Sequence, residues 1–193
     1  MKILVTGATG YIGKRLIPIL TNEGHQVVCA VRDTLRADKN YLDDENISIV
    51  EADFLKPGTL QNIPKDIDVA YYLIHSMSNS SNDFERMEAA CADNFKTYFA
   101  TTQLKQVIYL SGITNEEQLS KHLKSRKNVE EILASDSYAL TVFKAGIIVG
   151  SGSSSFEIIR DLVEKLPLMV APKWLNTKCQ PIGVTDVISF LTS

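Results

Sequence analysis

The sequence predicts an α/β protein built on a doubly wound parallel sheet. Short apolar runs recur along the chain with helical spacing between them. Strands buried on both faces read in this way. The first run, Ile3-Leu4-Val5, ends at Gly7 and leads directly into a helical pattern. The same alternation continues past residue 140, so right-handed crossovers place helices on both faces of one sheet.

Taken in order, Ile3–Val5 is the first strand. Ile12, Leu16, Ile19 and Leu20 then share a helical face, and Gly24 ends that helix. Pro18 lies inside it and either kinks the helix or leaves one carbonyl of the preceding turn unpaired. Val27–Val31, Ile47–Val50 and Val69–Ile74 supply strands two to four. A long helix is expected over Asp83–Gln103, then a strand over Val107–Leu110. Gln118–Leu133 reads as a helix with Leu119, Leu123, Ile132 and Leu133 apolar. Leu140–Phe143 is a sixth strand, Phe156–Leu166 a helix, and Ser151–Ser155 a loop before it. Val184–Leu191 opens an amphipathic helix. The whole chain, 1–193, reads as a single domain. Residues after about 146 form its substrate side, and a longer protein is expected beyond Ser193.

Composition narrows the function. The chain has 193 residues, 45% hydrophobic and 22% charged, with a formal net charge of -3. That balance offers no electrostatic footprint for nucleic acid or anionic lipid. No apolar stretch reaches the ~20 residues of a membrane span. Cys29, Cys91 and Cys179 are odd in number and far apart. They suggest neither a disulfide framework nor a metal site, and are expected as buried thiols in a reducing cytoplasm. Nothing in the composition speaks to oligomeric state.

The loop Thr6-Gly7-Ala8-Thr9-Gly10-Tyr11-Ile12-Gly13 carries the chemistry. Gly7 permits a sharp turn out of the strand, Gly10 lets backbone approach a pyrophosphate, and Gly13 packs the helix closely on the strand. The helix amino terminus then offers N–H groups and a positive dipole end to phosphates. Because the loop follows a strand and opens a helix, it is expected to bind a nicotinamide dinucleotide. Strand two ends in Arg32-Asp33. The guanidinium suits a 2′-phosphate, favouring NADP(H). Asp33 can instead meet a ribose hydroxyl, so NAD(H) stays open. Asp53 after strand three can accept from an adenine amino group with Phe54 beside it, or cap the turn before Pro57-Gly58.

With Ala52-Asp53-Phe54 and Tyr109-Leu110-Ser111-Gly112, this loop resembles the short-chain dehydrogenase/reductase superfamily. The runs Ala70–Met77 and Ile147–Glu157 resemble its atypical, NAD(P)H-binding and nucleoside-diphosphate-sugar epimerase-like group. The resemblance implies a Rossmann fold, often followed by a separate carboxy-terminal domain. It implies that Gly7, Thr9, Gly10, Tyr11, Ile12 and Gly13 line the pyrophosphate. Arg32 would meet the 2′-phosphate, and Asp53 and Phe54 would flank adenine. Leu73, Ile74 and His75 would lie beside ribose and nicotinamide, and Ser111 matches the family's serine after strand five.

Members of that superfamily that reduce or oxidise alcohols carry a tyrosine and a lysine four residues apart on one helix. This sequence departs from that pattern. Aligned on Glu130, the corresponding positions hold His122 and Arg126. A histidine can give a proton near neutral pH, and an arginine can hold ribose or an anionic substrate. Both can equally be solvated members of a polar helix beside Lys121, Lys124 and Lys127. His75, at the carboxyl edge of strand four, is a further candidate, or a hydrogen-bonded structural residue. Ser111 can orient a carbonyl or cap the next segment.

Two functions follow. One is an NADP-dependent reductase of a small molecule, such as a quinone or flavin, using His75, Ser111, His122 and Arg126. The other is a non-catalytic module that senses NADP(H) or serves a redox complex. A nucleotide-sugar epimerase or dehydratase is a third reading, but the residues after Leu140 supply little substrate domain.

Overall fold

A computed structural model describes residues 1–38, 41, 43–75, 84–113, 121–165 and 179–193. A six-stranded sheet is built from β1 (Lys2–Thr6), β2 (Gln26–Val31), β3 (Ile47–Glu51), β4 (Val69–Tyr72), β5 (Gln106–Gly112) and β6 (Ala139–Ala145). Its order is β3-β2-β1-β4-β5-β6, and the pairs from β3 through β5 are parallel. The chain first winds outward from β1 to β3, then returns to place β4 on the other side of β1. The carboxyl ends of β1 and β4 therefore flank the topological switch point, where such sheets bind ligands.

Helix α1 spans Gly13–Asn22 and buries Gly13, Leu16, Ile17 and Leu20. Ile19, expected inward, is exposed, and Ile17 takes its place. The close seat of Gly13 against Gly7 and Ala8 sets this rotation, because the buried stripe runs i, i+3, i+4, i+7 from that glycine. Pro18 does not end the helix. It sits on the exposed side, where the carbonyl it leaves without an amide donor can meet water. Gly24, at φ 81°, closes the helix as expected. Its N–H donates to Thr21 O at 2.9 Å while the His25 N–H donates to Leu20 O at 3.1 Å, the paired bonds of a Schellman end.

β4 is two residues shorter than its apolar run. Past Tyr72 the Leu73 N–H leaves the ladder and donates to Thr6 Oγ1 at 3.0 Å. Helix α2 spans Phe84–Phe99, ending earlier than the expected Gln103. The Thr102 hydroxyl donates to Phe99 O at 3.0 Å and competes with further helical turns. Helix α3 covers Lys121–Leu133, and the start expected at Gln118–Leu119 lies outside the described residues.

One face of α2 carries Phe84, Glu88, Cys91, Ala92, Phe95 and Phe99 inward. Phe95 is fully buried, with its ring 5.7 Å from Phe54, 5.1 Å from Tyr72 and 4.6 Å from Phe99. Cys29 and Cys91 are buried as expected, but Cys179 is exposed. Burial pushes the Cys29 thiol up to about 12 and Cys91 up to about 11, so both are poor thiolates. No helix among the described residues is long and apolar enough to cross a membrane.

The chain divides into compact units at Met1–Lys144 and Ala145–Ser193. The second holds β7 (Ile147–Val149) paired in parallel with β8 (Pro181–Gly183), α4 (Ser154–Lys165) and α5 (Val184–Thr192). Neither short strand is evident from periodicity, because three residues are too few to show one. Just before α4, Gly152 N–H donates to Glu157 Oε1 at 3.0 Å and Ser153 Oγ to Ile148 O at 2.9 Å.

Replacing Phe95 by alanine is expected to cost about 3–5 kcal/mol in urea unfolding; a loss below about 1 kcal/mol would contradict its central place in the core. At the amino edge of the sheet, Lys105 Nζ donates to Asp68 Oδ1 at 2.8 Å and Lys2 N–H to Asp68 Oδ2 at 3.0 Å. These bonds hold the Asp68 carboxyl below the ordinary 3.8. A group lowered on folding contributes stability that is complete above its unfolded pKa and is lost as pH falls through the folded one. Tm is therefore expected to fall as the chain is acidified below about pH 4, and to fall less steeply in Asp68→Asn. Parallel acid profiles for the two proteins would contradict this.

Candidate functional site

The glycine loop is built against the exit of β4. Thr6 is fully buried, and its hydroxyl donates to Tyr71 O at 3.0 Å while accepting from Leu73 N–H at 3.0 Å. One threonine side chain thus continues the β1–β4 pairing beyond the end of both strands. Gly7 follows with φ 66°. A Cβ there would stand 2.6 Å from Leu73 O, and one at Gly13 would stand 2.5 Å from Gly7 O. Backbone occupies both places, so neither tolerates a side chain without movement. Gly10 differs. A Cβ on it would meet only Gly7 O, at 3.0 Å, and the residue is exposed.

The loop closes with Gly10 N–H donating to Gly7 O at 2.8 Å, and Lys14 N–H reaches Gly10 O at 3.0 Å. The amides of Tyr11, Ile12 and Gly13 precede that first helical donor and form the open helix end. Thr9 is exposed and Ile12 half-buried. Arg15 braces Tyr11, with its guanidinium 3.8 Å over the ring and Nη1 donating to Tyr11 O at 3.1 Å. The Tyr11 hydroxyl is buried without a hydrogen-bond partner among the described residues. An exposed, side-chain-free approach at Gly10 beside open amides is the cradle a pyrophosphate needs.

At the end of β2, Arg32 is exposed. Asp33 Oδ1 instead accepts from Leu35 N–H at 3.0 Å and caps the short helical turn Thr34–Arg36. Asp53 is similarly engaged: its Oδ1 accepts from Leu55 N–H at 3.0 Å and Oδ2 lies 3.7 Å from Lys56 Nζ. The Phe54 ring belongs to the core, and Phe54 O accepts from Asn94 Nδ2 at 2.7 Å.

The remaining candidates gather at the carboxyl ends of β4 and β5. Leu73 and Ile74 are half-buried, Leu73 against Gly7 and Ile74 packed on the core. Tyr72 pairs with Tyr109, so Ile74 and Ser111 extend one register and His75 lies one residue on. Ser111 is 2% exposed, and its hydroxyl forms no hydrogen bond with full geometry among the described residues. The adjacent Tyr109 hydroxyl donates to Arg126 O at 3.3 Å. Burial pushes that phenol up to about 12, opposed by the Arg126 guanidinium and Ser111.

His122 and Arg126 both sit on α3, yet they do different things. Arg126 Nη1 donates to Leu110 O at 3.2 Å, tying α3 to the end of β5. His122 is exposed with its ring 5.1 Å from Phe84. The other edge of the cluster is His75, 6.1 Å from the same phenylalanine ring. His75 Nδ1 is 2.9 Å from Glu88 Oε1, and Ser125 Oγ donates to Glu88 Oε2 at 2.5 Å. Glu88 and Ser125 were not evident as site residues in the sequence. The available signal was a carboxylate on the i, i+4, i+7 stripe of α2, where every other inward residue is apolar.

A family model described as NAD(P)H-binding matches residues 7–149. The auxiliary protein GraX of Staphylococcus aureus is 26% identical over 126 residues, covering 63% of this chain and 40% of that protein. The photosystem II assembly factor Ycf39 of Synechocystis is 26% identical over 152 residues, covering 78% of this chain and 46% of that protein. The chain thus spans less than half the length of these two relatives. Among solved structures, yeast methylglyoxal/isovaleraldehyde reductase Gre2 complexed with NADPH superposes with a TM-score of 0.79 at 16% identity, covering 97% of this chain and 72% of that one. UDP-glucuronic acid 4-epimerase from Bacillus cereus in complex with NAD gives 0.77 at 19% identity, covering 100% and 73%. These likenesses establish the Rossmann fold.

The three glycines are expected to separate in mutagenesis. Gly10→Val should weaken NADPH binding by about tenfold or more, through the lost approach to phosphate, with little change in Tm. Gly13→Val should lower both, because its side chain would strike the backbone of the loop. Calorimetric titration beside thermal melts checks this, and undiminished NADPH affinity in Gly10→Val would overturn the assignment.

Proposed function

The chain belongs to the NAD(P)H-binding family, and on that premise we propose that it is an NADP-dependent reductase domain acting on a small carbonyl or quinone-like molecule. The observation that carries the cofactor preference is at the end of β2. Arg32 is exposed there, while the neighbouring Asp33 carboxylate already holds the Leu35 amide. A guanidinium offers a 2′-phosphate two parallel donors. A carboxylate engaged in its own turn is less suited to gripping a ribose hydroxyl.

Gly7, Thr9, Gly10, Tyr11, Ile12 and Gly13 hold the pyrophosphate in this reading. Leu73, Ile74 and His75 line the ribose and nicotinamide side, and Asp53 and Phe54 border the adenine by the edge of β3. A bound reduced nicotinamide supplies hydride. Ser111 offers a buried hydroxyl at the end of β5 that can orient an acceptor oxygen. His122 stands at the exposed mouth, and Arg126 holds α3 against β5. The free thiols of Cys29, Cys91 and Cys179 suit a reducing cytoplasm.

A second reading has its own support. Helix α3 contains no tyrosine, and the Arg126 guanidinium is bound to a backbone carbonyl. Two relatives carry the names auxiliary protein and assembly factor. A module that binds NADP(H) without turnover fits those facts. An epimerase or dehydratase is favoured only by fold likeness.

The test is a titration of NADPH and NADH followed by their oxidation with a panel of aldehydes, quinones and flavins. Turnover supports the reductase. Tight binding with no turnover across the panel favours the accessory module. NADPH is expected to bind at least about tenfold more tightly than NADH, a difference of about 1.4 kcal/mol, and Arg32→Asp should abolish that margin. An unchanged preference would remove Arg32 from the account.

A further inference from the structure

A carboxylate rarely occupies the core stripe of a helix unless it is paired. Glu88 is 5% exposed, among Phe84, Cys91, Ala92 and Phe95 on the inward face of α2. Its two oxygens engage different elements: Oε1 meets His75 Nδ1 just beyond β4, and Oε2 accepts from Ser125 of α3. Two elements are thereby locked around one acid.

An ionised carboxylate only accepts hydrogen bonds. With Glu88 ionised, the hydrogen of its bond to His75 sits on Nδ1 and Nε2 is the nitrogen left for a ligand. Among the described residues Nε2 has no hydrogen-bond partner, and the His75 side chain is 28% exposed. His75 stands two residues beyond Leu73, whose carbonyl lies against Gly7, and one residue beyond the level of the buried Ser111 hydroxyl. The Phe84 ring lies edge-on to the imidazole, at 81°. The imidazole is thus fixed by a hydrogen bond on one nitrogen and by an aromatic ring, at the ligand-binding edge of the sheet.

We propose that His75, oriented by Glu88 and Ser125, is the proton donor of this domain, in place of a tyrosine on α3. The inference rests on the reductase reading. The acceptor is a carbonyl compound, an aldehyde or a quinone. Its carbon takes a hydride from the reduced nicotinamide dinucleotide, its C=O π pair moves to oxygen, and that oxygen takes the proton from Nε2 of the imidazolium. The carbonyl is reduced, the dinucleotide is oxidised, and neutral imidazole remains with Nδ1–H still donating to Glu88 Oε1. Solvent then returns the proton to Nε2. His75 is the catalytic residue; Glu88 and Ser125 are positioning residues, acting through a hydrogen bond that selects one tautomer.

The test uses the full chain, with phenanthrenequinone and benzaldehyde as acceptors and NADPH as donor. Nitrogen-15 NMR of the histidine side chains, without cofactor, should show neutral His75 in the Nδ1–H form. Glu88→Gln should lose that preference while NADPH affinity changes little. His75→Ala should lower kcat by about a hundredfold or more, the range of a lost general acid, and added imidazole should restore part of it. Ser125→Ala should lower kcat less, with KM for NADPH unchanged. Turnover by wild type that survives His75→Ala overturns the proposal while leaving the reductase reading intact. An Nε2–H tautomer in wild type overturns it as well, whatever the kinetics. Absence of turnover by wild type with either acceptor and with the wider panel overturns the reductase reading and the proposal together.

Discussion

The Thr6 hydroxyl and the backbone beside it organise everything at the carboxyl edge of the sheet. That hydroxyl bridges Tyr71 O and Leu73 N, so β1 and β4 remain joined where their ladder has ended. The next residue must turn away at once, and it does so at φ 66° with the Leu73 carbonyl where a side chain would be. Only glycine accepts both conditions. The turn delivers the chain to Gly13, which seats α1 against the same loop and sets which face of that helix is buried. The loop's shape, the helix's rotation and the position of the β4 exit are thus one constraint seen from three sides. The proposed phosphate cradle is its consequence: open amides at a helix end, with no side chain at Gly10 to keep a ligand away.

A second constraint lies on the other side of β4. Helix α2 is apolar along its inward face except at Glu88, and an unpaired carboxylate there would lose its hydration with nothing in return. His75 and Ser125 supply that return, with one hydrogen bond to each carboxyl oxygen. The same pairing draws the β4 exit, α2 and α3 toward one point. Phe84 fills the space between the His75 and His122 rings. Two histidines that are 47 residues apart in the sequence (75 and 122) therefore share one aromatic neighbour, and a buried acid decides the orientation of one of them.

The doubly wound sheet was legible because buried strands and helices leave distinct periods, and because the glycine spacing falls between the first strand and the first helix. The limits of individual elements were less so. β4 stops at Tyr72 because a threonine hydroxyl takes the next amide, and α2 stops at Phe99 because a threonine hydroxyl takes its last carbonyl. Neither bond has a period. Ile19 and Ile17 exchanged places because a glycine contact, rather than the count of apolar residues, rotates α1. At the site, the glycine loop and Arg32 could be read locally. The tie of Asp33 to its own turn leaves no mark in the residue spacing. The partnership of His75 with Glu88 and Ser125 could not be read at all from spacing, since it joins a loop and two helices through tertiary packing.

The proposed dinucleotide site joins the loop from Gly7 to Gly13 to the exits of β2 and β4. Backbone amide NMR of the isotopically labelled chain during an NADPH titration tests it most directly. Saturable shifts are expected to cluster at Gly7–Gly13, at Arg32 and at Leu73–His75, with residues at the amino edge such as Asp68 and Lys105 unmoved. Saturable shifts that leave the glycine loop silent, or no shifts at millimolar NADPH, would contradict it.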